Sequence, residues 1–375
     1  MTIPVGETGR LRYPCSRFLP VVRHWSLVPR EMASFDLTES PKSDPTPLLR
    51  YRDGIYAADF LACAILHLDL FNWLTGFSAN LKEICEHCQI HERPADVLMT
   101  LACANGLVEK KGDRFSATEL CREHLGHDSP WTLGPYYASL GDRPVVKEVL
   151  TVMRTGKPGN WESEIAEADW HESMESAEFA RMFTAAMDCR GVFLGQKLAG
   201  ELDLSGRSRV LDIGGGSGIY ACCLVAVNEG LRATVFEKSP VGQIAESEIS
   251  RRKMSGRIEV LEGDMFEDAY PDGHDVHLLS NVLHDWDLAE VEILLRKSHQ
   301  SLPCGGLVVA HETFLNEEKT GPRAVAEYST VLVTITRGRC YGVAEIREVM
   351  KRVGFADVQQ FETGGDRSAI TALKP

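Results

Sequence analysis

The chain is predicted to be an α/β protein with a mainly helical N-terminal part, and three observations carry that prediction. From Arg209 onward, short apolar strands alternate with helical stretches, the pattern of a mostly parallel sheet. A run of glycines, Gly214 to Gly218, falls where the first of these strands gives way to a helix. Upstream, two short helices and a β-wing follow one another between residues 80 and 116.

Residues 1–47 carry seven prolines and no sustained hydrophobic period, so they are expected to form a poorly ordered leader, with Met32 a candidate native start. Residues 48–175 are expected to form the helical part. Phe60, Ala64, Leu68 and Phe71 share helical spacing within an apolar run at 57–74. Helices are expected at 80–85 and 93–101, and the wing at 106–109 and 113–116. Residues 178–202 read as one long amphipathic helix bridging two domains, placed at 176–205. The α/β domain, 206–375, has expected strands at 209–213, 233–236, 258–261, 276–280 and 307–310. Its helices are expected at 219–227, 241–252, 288–302 and 345–353, with a closing hairpin of 358–362 and 368–373.

Composition excludes several classes. A formal charge of -14 over 375 residues argues against a nucleic-acid partner, because phosphate binding needs a basic footprint. The acidic balance weakens a DNA-binding reading of the winged helix, as does the scarcity of Lys and Arg in its second helix. No stretch approaches about 18 uninterrupted apolar residues, so no membrane partner is expected. The first thirty residues lack a signal core, which points to the cytoplasm, and the 11 cysteines fit free thiols there. Cys85 and Cys88, with His87 and His91 near, lack a second ligand pair at zinc-site spacing, so no metal is expected.

A glycine turn between strand and helix brings backbone N–H groups close to a ligand. Counting from Gly214, a dinucleotide fingerprint needs a third glycine where Ile219 stands, and a P-loop needs a Gly-Lys-Ser/Thr that is absent. What remains is Asp212 two places before Gly214, then Gly216 and Gly218. Glu237 ends the next strand and Asp264-Met265 follow the third. Beyond the fourth strand comes Ser280-Asn281-Val282-Leu283-His284-Asp285-Trp286, with His284 where open α/β sheets place ligands. Histidine is the side chain best suited to remove a proton near neutral pH.

The glycine loop resembles motif I of class I S-adenosylmethionine (SAM)-dependent methyltransferases. The His284-Asp285-Trp286 segment resembles the motif of small-molecule O-methyltransferases of the caffeate, hydroxyneurosporene and polyketide type, a resemblance spanning about residues 50–375. It implies a Rossmann-like domain with a seven-stranded sheet, SAM as cofactor and a homodimer formed through the winged-helix domain. It implies that the glycine loop wraps the methionine part of the cofactor, that Glu237 holds the ribose hydroxyls, and that Asp264 and Met265 lie by the adenine. Ser280 and Trp286 join the cofactor residues, Trp286 packing on the adenine or filling the core. His284 is implied as the base that deprotonates a substrate hydroxyl, oriented by Glu312 at the end of the following strand.

The acceptor implied is a small, aromatic or polyketide-like molecule, met by Phe183 and Met187 of the bridging helix and by Asp285. Trp131, Tyr136 and Tyr137 are candidates to close its pocket. Cys340 stands where many relatives carry a second glutamate. Three readings follow: Glu312 suffices, the acceptor atom is carbon or SAM serves other chemistry, or Cys340 and His284, with Asp285 or His311 as further candidates, bind a metal. A SAM-sensing, DNA-binding regulator is the reading of a different class.

Overall fold

The computed structural model describes residues 36–159 and 174–375, so the leader over 1–35 and the Met32 start lie outside the described residues. Residues from Leu37 onward form one compact unit. The leader reading ends too late at residue 47. Leu37 is buried against the bridging helix, where Gln196 Nε2 donates to the Leu37 and Glu39 carbonyls at 2.8 and 2.7 Å.

The helical part begins with α1 (Thr46–Asp53), α2 (Ala57–Leu66) and α3 (Leu70–Leu74). After β1 (Ser78–Asn80), α4 (Leu81–Cys88) and α5 (Glu92–Ala104) form the helix pair. Asn80 caps α4 with a reciprocal pair of bonds to Glu83, which explains why the helix starts there. The wing is β2 (Val108–Lys111) and β3 (Arg114–Ala117), with β1 paired to β3. Helices α6 (Glu119–Leu125), α7 (Gly134–Ala138) and α8 (Pro144–Thr155) complete this part. Helix α5, the one a DNA reader would lay in the groove, has its residues Val97 to Ala102 buried. Cys85 and Cys88 are free thiols on α4, and burial pushes them up to about 11 and about 12.

The bridging helix α9 (Ala177–Glu201) runs 25 residues, about 38 Å. The α/β part follows with β4 (Arg209–Ile213), α10 (Ile219–Val227), β5 (Arg232–Glu237), α11 (Val241–Arg251), β6 (Ile258–Glu262) and β7 (Val276–Ser280). Then come α12 (Leu288–Ser301), β8 (Leu307–Glu312), α13 (Arg323–Ile335), α14 (Val343–Val353), β9 (Ala356–Gly364) and β10 (Arg367–Leu373). The seven strands are ordered β6-β5-β4-β7-β8-β10-β9, parallel from β6 through β8, with β10 antiparallel to both neighbours. Strands β4 and β7 are almost wholly buried, as expected of a parallel sheet covered on both faces. The closing hairpin turns at Gly365 and Asp366, both at positive φ, the conformation of a two-residue primed turn.

Two packing features place the site. Helix α9 lies close on α10 because it carries Gly191 and Gly195 at the crossing. A Cβ at Gly191 would sit 2.5 Å from Ile219 Cγ2, and one at Gly195 3.0 Å from Cys223 Sγ. Helix α13, which periodicity did not reveal, leaves the α/β part and packs in the core of the helical part, burying Val325, Val331 and Leu332 there. The boundary drawn at 206 therefore divides the chain by sequence more cleanly than the cores divide it in space. Arg93 of α5 ties the parts together, donating to the Thr336, Gly338 and Gly156 carbonyls at 2.8–2.9 Å.

Candidate active site

A cavity of about 480 Å³ opens at the carboxyl ends of β4, β5 and β7, between the sheet, α9 and α13. That volume suits a small-molecule site.

Its floor is the glycine loop. Gly214, Gly216 and Gly218 have φ of 64°, 57° and 73°, a left-handed conformation that excludes ordinary side chains. A Cβ at Gly215 would come within 2.7 Å of the Asp212 carboxylate. Asp212 itself lies beneath the loop and Gly218 caps α10; neither lines the cavity, so these two act by shaping the turn. Burial pushes the Asp212 carboxyl up to about 7, with Glu237 adding to the shift.

Glu237 lines the cavity at the end of β5. Its two oxygens accept from the Gly216 and Lys238 N–H groups at 3.0 and 2.9 Å. Burial raises its carboxyl above the usual range, against the pull of those amides. Asp264 lines the wall after β6. Burial alone would raise its carboxyl, but the Phe266 N–H at 2.8 Å and Lys238 Nζ at 3.2 Å outweigh it and hold it low. Met265, Ser280 and Trp286 also line the cavity. Trp286 fills the core at the cavity's edge: it is 5% exposed and meets Phe266 edge-on at 4.5 Å.

His284 sits in a 3₁₀ turn, Leu283–Asp285, directly after β7. Glu312, at the end of neighbouring β8, holds this turn in place. Its Oε1 accepts from the Val282 and Leu283 N–H groups at 2.8 Å each, and its Oε2 bonds His284 Nδ1. That bond leaves Nε2 as the acceptor nitrogen, 3.7 Å from Asp285 Oδ1. Burial disfavours the imidazolium, but Glu312 and then Asp285 outweigh it and raise the His284 pKa above its ordinary value. Burial pushes the Asp285 carboxyl up to about 6. Both His284 and Asp285 line the cavity; Glu312 stands behind them.

Phe183 and Met187 line the opposite wall, as their spacing on α9 implies. Other expectations fail. Trp131 and Tyr136 are 62% and 79% exposed and, with Tyr137, do not line the cavity. Cys340 does not line it either. Its thiol meets Thr313 Oγ1 at 3.3 Å inside the core of the helical part, and burial pushes it up to about 12. His311 is tied between Ser280 Oγ and Thr363 Oγ1 at 2.9 and 3.0 Å. Among the described residues, no three His, Cys, Asp or Glu side chains converge as a metal site would require.

Several lining residues escaped the sequence reading. Tyr328, Val331, Leu332 and Ile335 come from α13, and Arg190 from α9. Arg190 stands three places after Met187, and that spacing is the one signal that could have found it. Asp188 was also missed. Its carboxylate accepts from Ser217 Oγ at 2.6 Å and pairs with Arg252 at 2.6 Å, tying α9 to the cofactor loop.

Glycine loop, terminal carboxylate on β5 and a histidine after β7 together define a SAM-binding methyltransferase site. The chain belongs to the family of the O-methyltransferase domain, which matches residues 148–356. It is 29% identical over 334 residues to a 3-hydroxy-5-methyl-1-naphthoate 3-O-methyltransferase of Streptomyces sahachiroi, covering 88% of this chain and 95% of that one. It is 31% identical over 312 residues to an L-tyrosine C(3)-methyltransferase of Streptomyces lavendulae, covering 80% and 84%. Among solved structures, it is similar to an O-methyltransferase family 2 protein from Planctomyces limnophilus in complex with apigenin. The TM-score is 0.82 at 28% identity, covering 92% of this chain and all of that one. The protein is a SAM-dependent O-methyltransferase acting on a small molecule.

Proposed function

We propose that this enzyme methylates a hydroxyl of an aromatic or polyketide-like acceptor, with His284 as general base and Glu312 as the group that orients it. One observation carries the reading: Nδ1 is committed to a buried carboxylate, while the same imidazole faces a cavity walled by Phe183, Met187 and Val331. SAM supplies an electrophilic methyl group on a sulfonium. Against it, the glycine loop offers a close backbone surface, Glu237 an acceptor pair for the ribose diol, and Asp264 with Met265 a polar and an apolar contact for the adenine. His284 Nε2 takes the hydroxyl proton as the oxygen attacks, and Glu312 stabilises the imidazolium that forms. Asp285, whose carboxyl burial pushes up to about 6, faces the cavity and can accept from a polar group beside that hydroxyl. The apolar walls exclude water and hold a flat ring in line.

Cys340 gives no support to carbon methylation or to a metal, since its thiol is spent on Thr313 within the core. The buried α5 gives none to a DNA-binding regulator. A screen of phenolic acceptors with SAM, read as a mass gain of one methyl, tests the reading; gain on carbon rather than oxygen would overturn it. Glu237→Ala is expected to weaken SAM binding at least about tenfold, given two charge-assisted hydrogen bonds lost, with little change in thermal unfolding. Calorimetric titration of SAM checks this.

The helical part, 48–175, is the proposed dimerisation unit. It exposes Tyr51, Ile55, Phe77 and Trp131 at 62–84%, apolar surface that a second copy would cover. Light scattering that gave a monomer would contradict this. Among the described residues, no helix is long and apolar enough to cross a membrane. We place the enzyme in the cytoplasm, in keeping with its free cysteines.

A further inference from the structure

We propose that Arg190 docks a carboxylate of the acceptor, so that the substrate class is a hydroxyarene bearing a carboxylate near the hydroxyl that is methylated. This rests on the reading of His284 as the base for an aromatic hydroxyl.

The cavity is lined by four cations besides histidine. Three have carboxylate neighbours: Lys238 lies 3.2 Å from Asp264, Arg337 2.9 Å from Glu290, and Arg52 3.9 Å from Asp53. Arg190 is the exception. Among the described residues, no carboxylate forms an ion pair with it. Its Nη1 donates to Tyr328 Oη at 3.2 Å, and its Nε is buried without a hydrogen-bond partner. A guanidinium whose Nε is cut off from water and which pairs with no described carboxylate has donor capacity unmet, and a carboxylate in its fork is the group that best fills it. A neutral ligand fills it less strongly.

Geometry puts this fork on the acceptor side. Tyr328, the partner of Arg190, presents an edge-on contact to His284, with ring centroids 5.8 Å apart at 89°. Arg190 and His284 thus flank one tyrosine, and a single flat ligand can reach both. Arg367 lies over the Tyr328 ring, 5.2 Å from its centroid, and Arg367 Nε donates to Asn281 Oδ1, so the tyrosine is held in place from behind. SAM also carries a carboxylate, on its methionine end. The loop expected to hold that end is tethered to α9 through Asp188, whereas Arg190 turns to Tyr328 on α13, beside the apolar wall of Val331 and Leu332.

The test compares a hydroxynaphthoic acid with its methyl ester on the full-length enzyme and on Arg190→Gln and Arg190→Lys. Steady-state rates are measured alongside calorimetric binding of each compound in the presence of S-adenosylhomocysteine. The wild type is expected to favour the acid over the ester by roughly tenfold or more in kcat/KM, or in affinity where turnover is absent. Arg190→Gln should bring that ratio toward one by raising KM for the acid, and Arg190→Lys should retain part of it. The proposal is overturned if the wild type does not distinguish acid from ester, or binds neither. It is overturned as well if Arg190→Gln keeps the preference, or if the variant loses SAM affinity while the ratio stands, which would assign Arg190 to the cofactor. Acid-selective binding without methylation of any aromatic acceptor would support Arg190 and count separately against the proposed function.

Discussion

His284→Ala is expected to lower turnover by about 10²- to 10⁴-fold, the range over which a positioned base accelerates proton removal, while SAM still binds. The loss should fall on kcat, because the imidazole acts on a proton that moves only in the transition state. The variant should also fold. His284 lies in a short turn whose N–H groups at Val282 and Leu283 are held by Glu312 independently of the ring. Single-turnover methylation and a parallel SAM titration separate the two outcomes. A variant that methylates at the wild-type rate would remove His284 from the mechanism.

Glu312→Gln should have the second largest effect, about 10²-fold on turnover, because it weakens the base and releases its orientation together. Glutamine can accept from Nδ1–H, but its NH₂ then faces the Val282 and Leu283 N–H groups, donors against a donor. The pH dependence gives an independent sign. The base works as neutral imidazole, so wild-type kcat is expected to rise with pH through a pKa above the ordinary histidine value. Removing the Glu312 charge takes away the principal raising influence and leaves burial opposing the imidazolium. The rise should therefore move to lower pH, on a lower plateau. Stability follows the opposite course. A raised folded-state pKa means the His284–Glu312 pair stabilises fully below about 6.5, the unfolded value, and loses that contribution as pH climbs through the folded value. Kinetic and thermal-unfolding profiles across pH 5–9 in both proteins check these signs.

The second carboxylate that the family resemblance implies at Cys340 is absent, and Glu312 is the carboxylate bonded to His284 Nδ1. Glu312 fills its capacity with two backbone N–H groups and one imidazole, and Asp285 supplies a second negative field from the cavity side. Cys340 instead packs into the core beneath α13.

What the sequence determined by itself is local. Strand and helix periods from Arg209 onward, the glycines that must take positive φ, and the order of Asp212, Glu237, Asp264, His284 and Glu312 all follow from neighbours within a few residues or from one repeated unit. Parallel strands then bring their carboxyl ends to one edge, so Glu237, Asp264 and His284 meet in one cavity, with Asp212 and Glu312 behind its lining. Only the tertiary structure decided what depends on packing between distant segments. Helix α13 is apolar over much of its length because it is buried by the helical part, so its period did not mark an acceptor wall. Trp131 and Tyr136 have the chemistry of a lid but lie on the surface, and Cys340 has the position of a site residue but faces the core. The glycine loop and His284 were legible because their chemistry is carried by backbone and spacing. Arg190 was not, because a guanidinium on a helix becomes informative only once its place in the cavity wall and its Nε without a hydrogen-bond partner among the described residues can be seen.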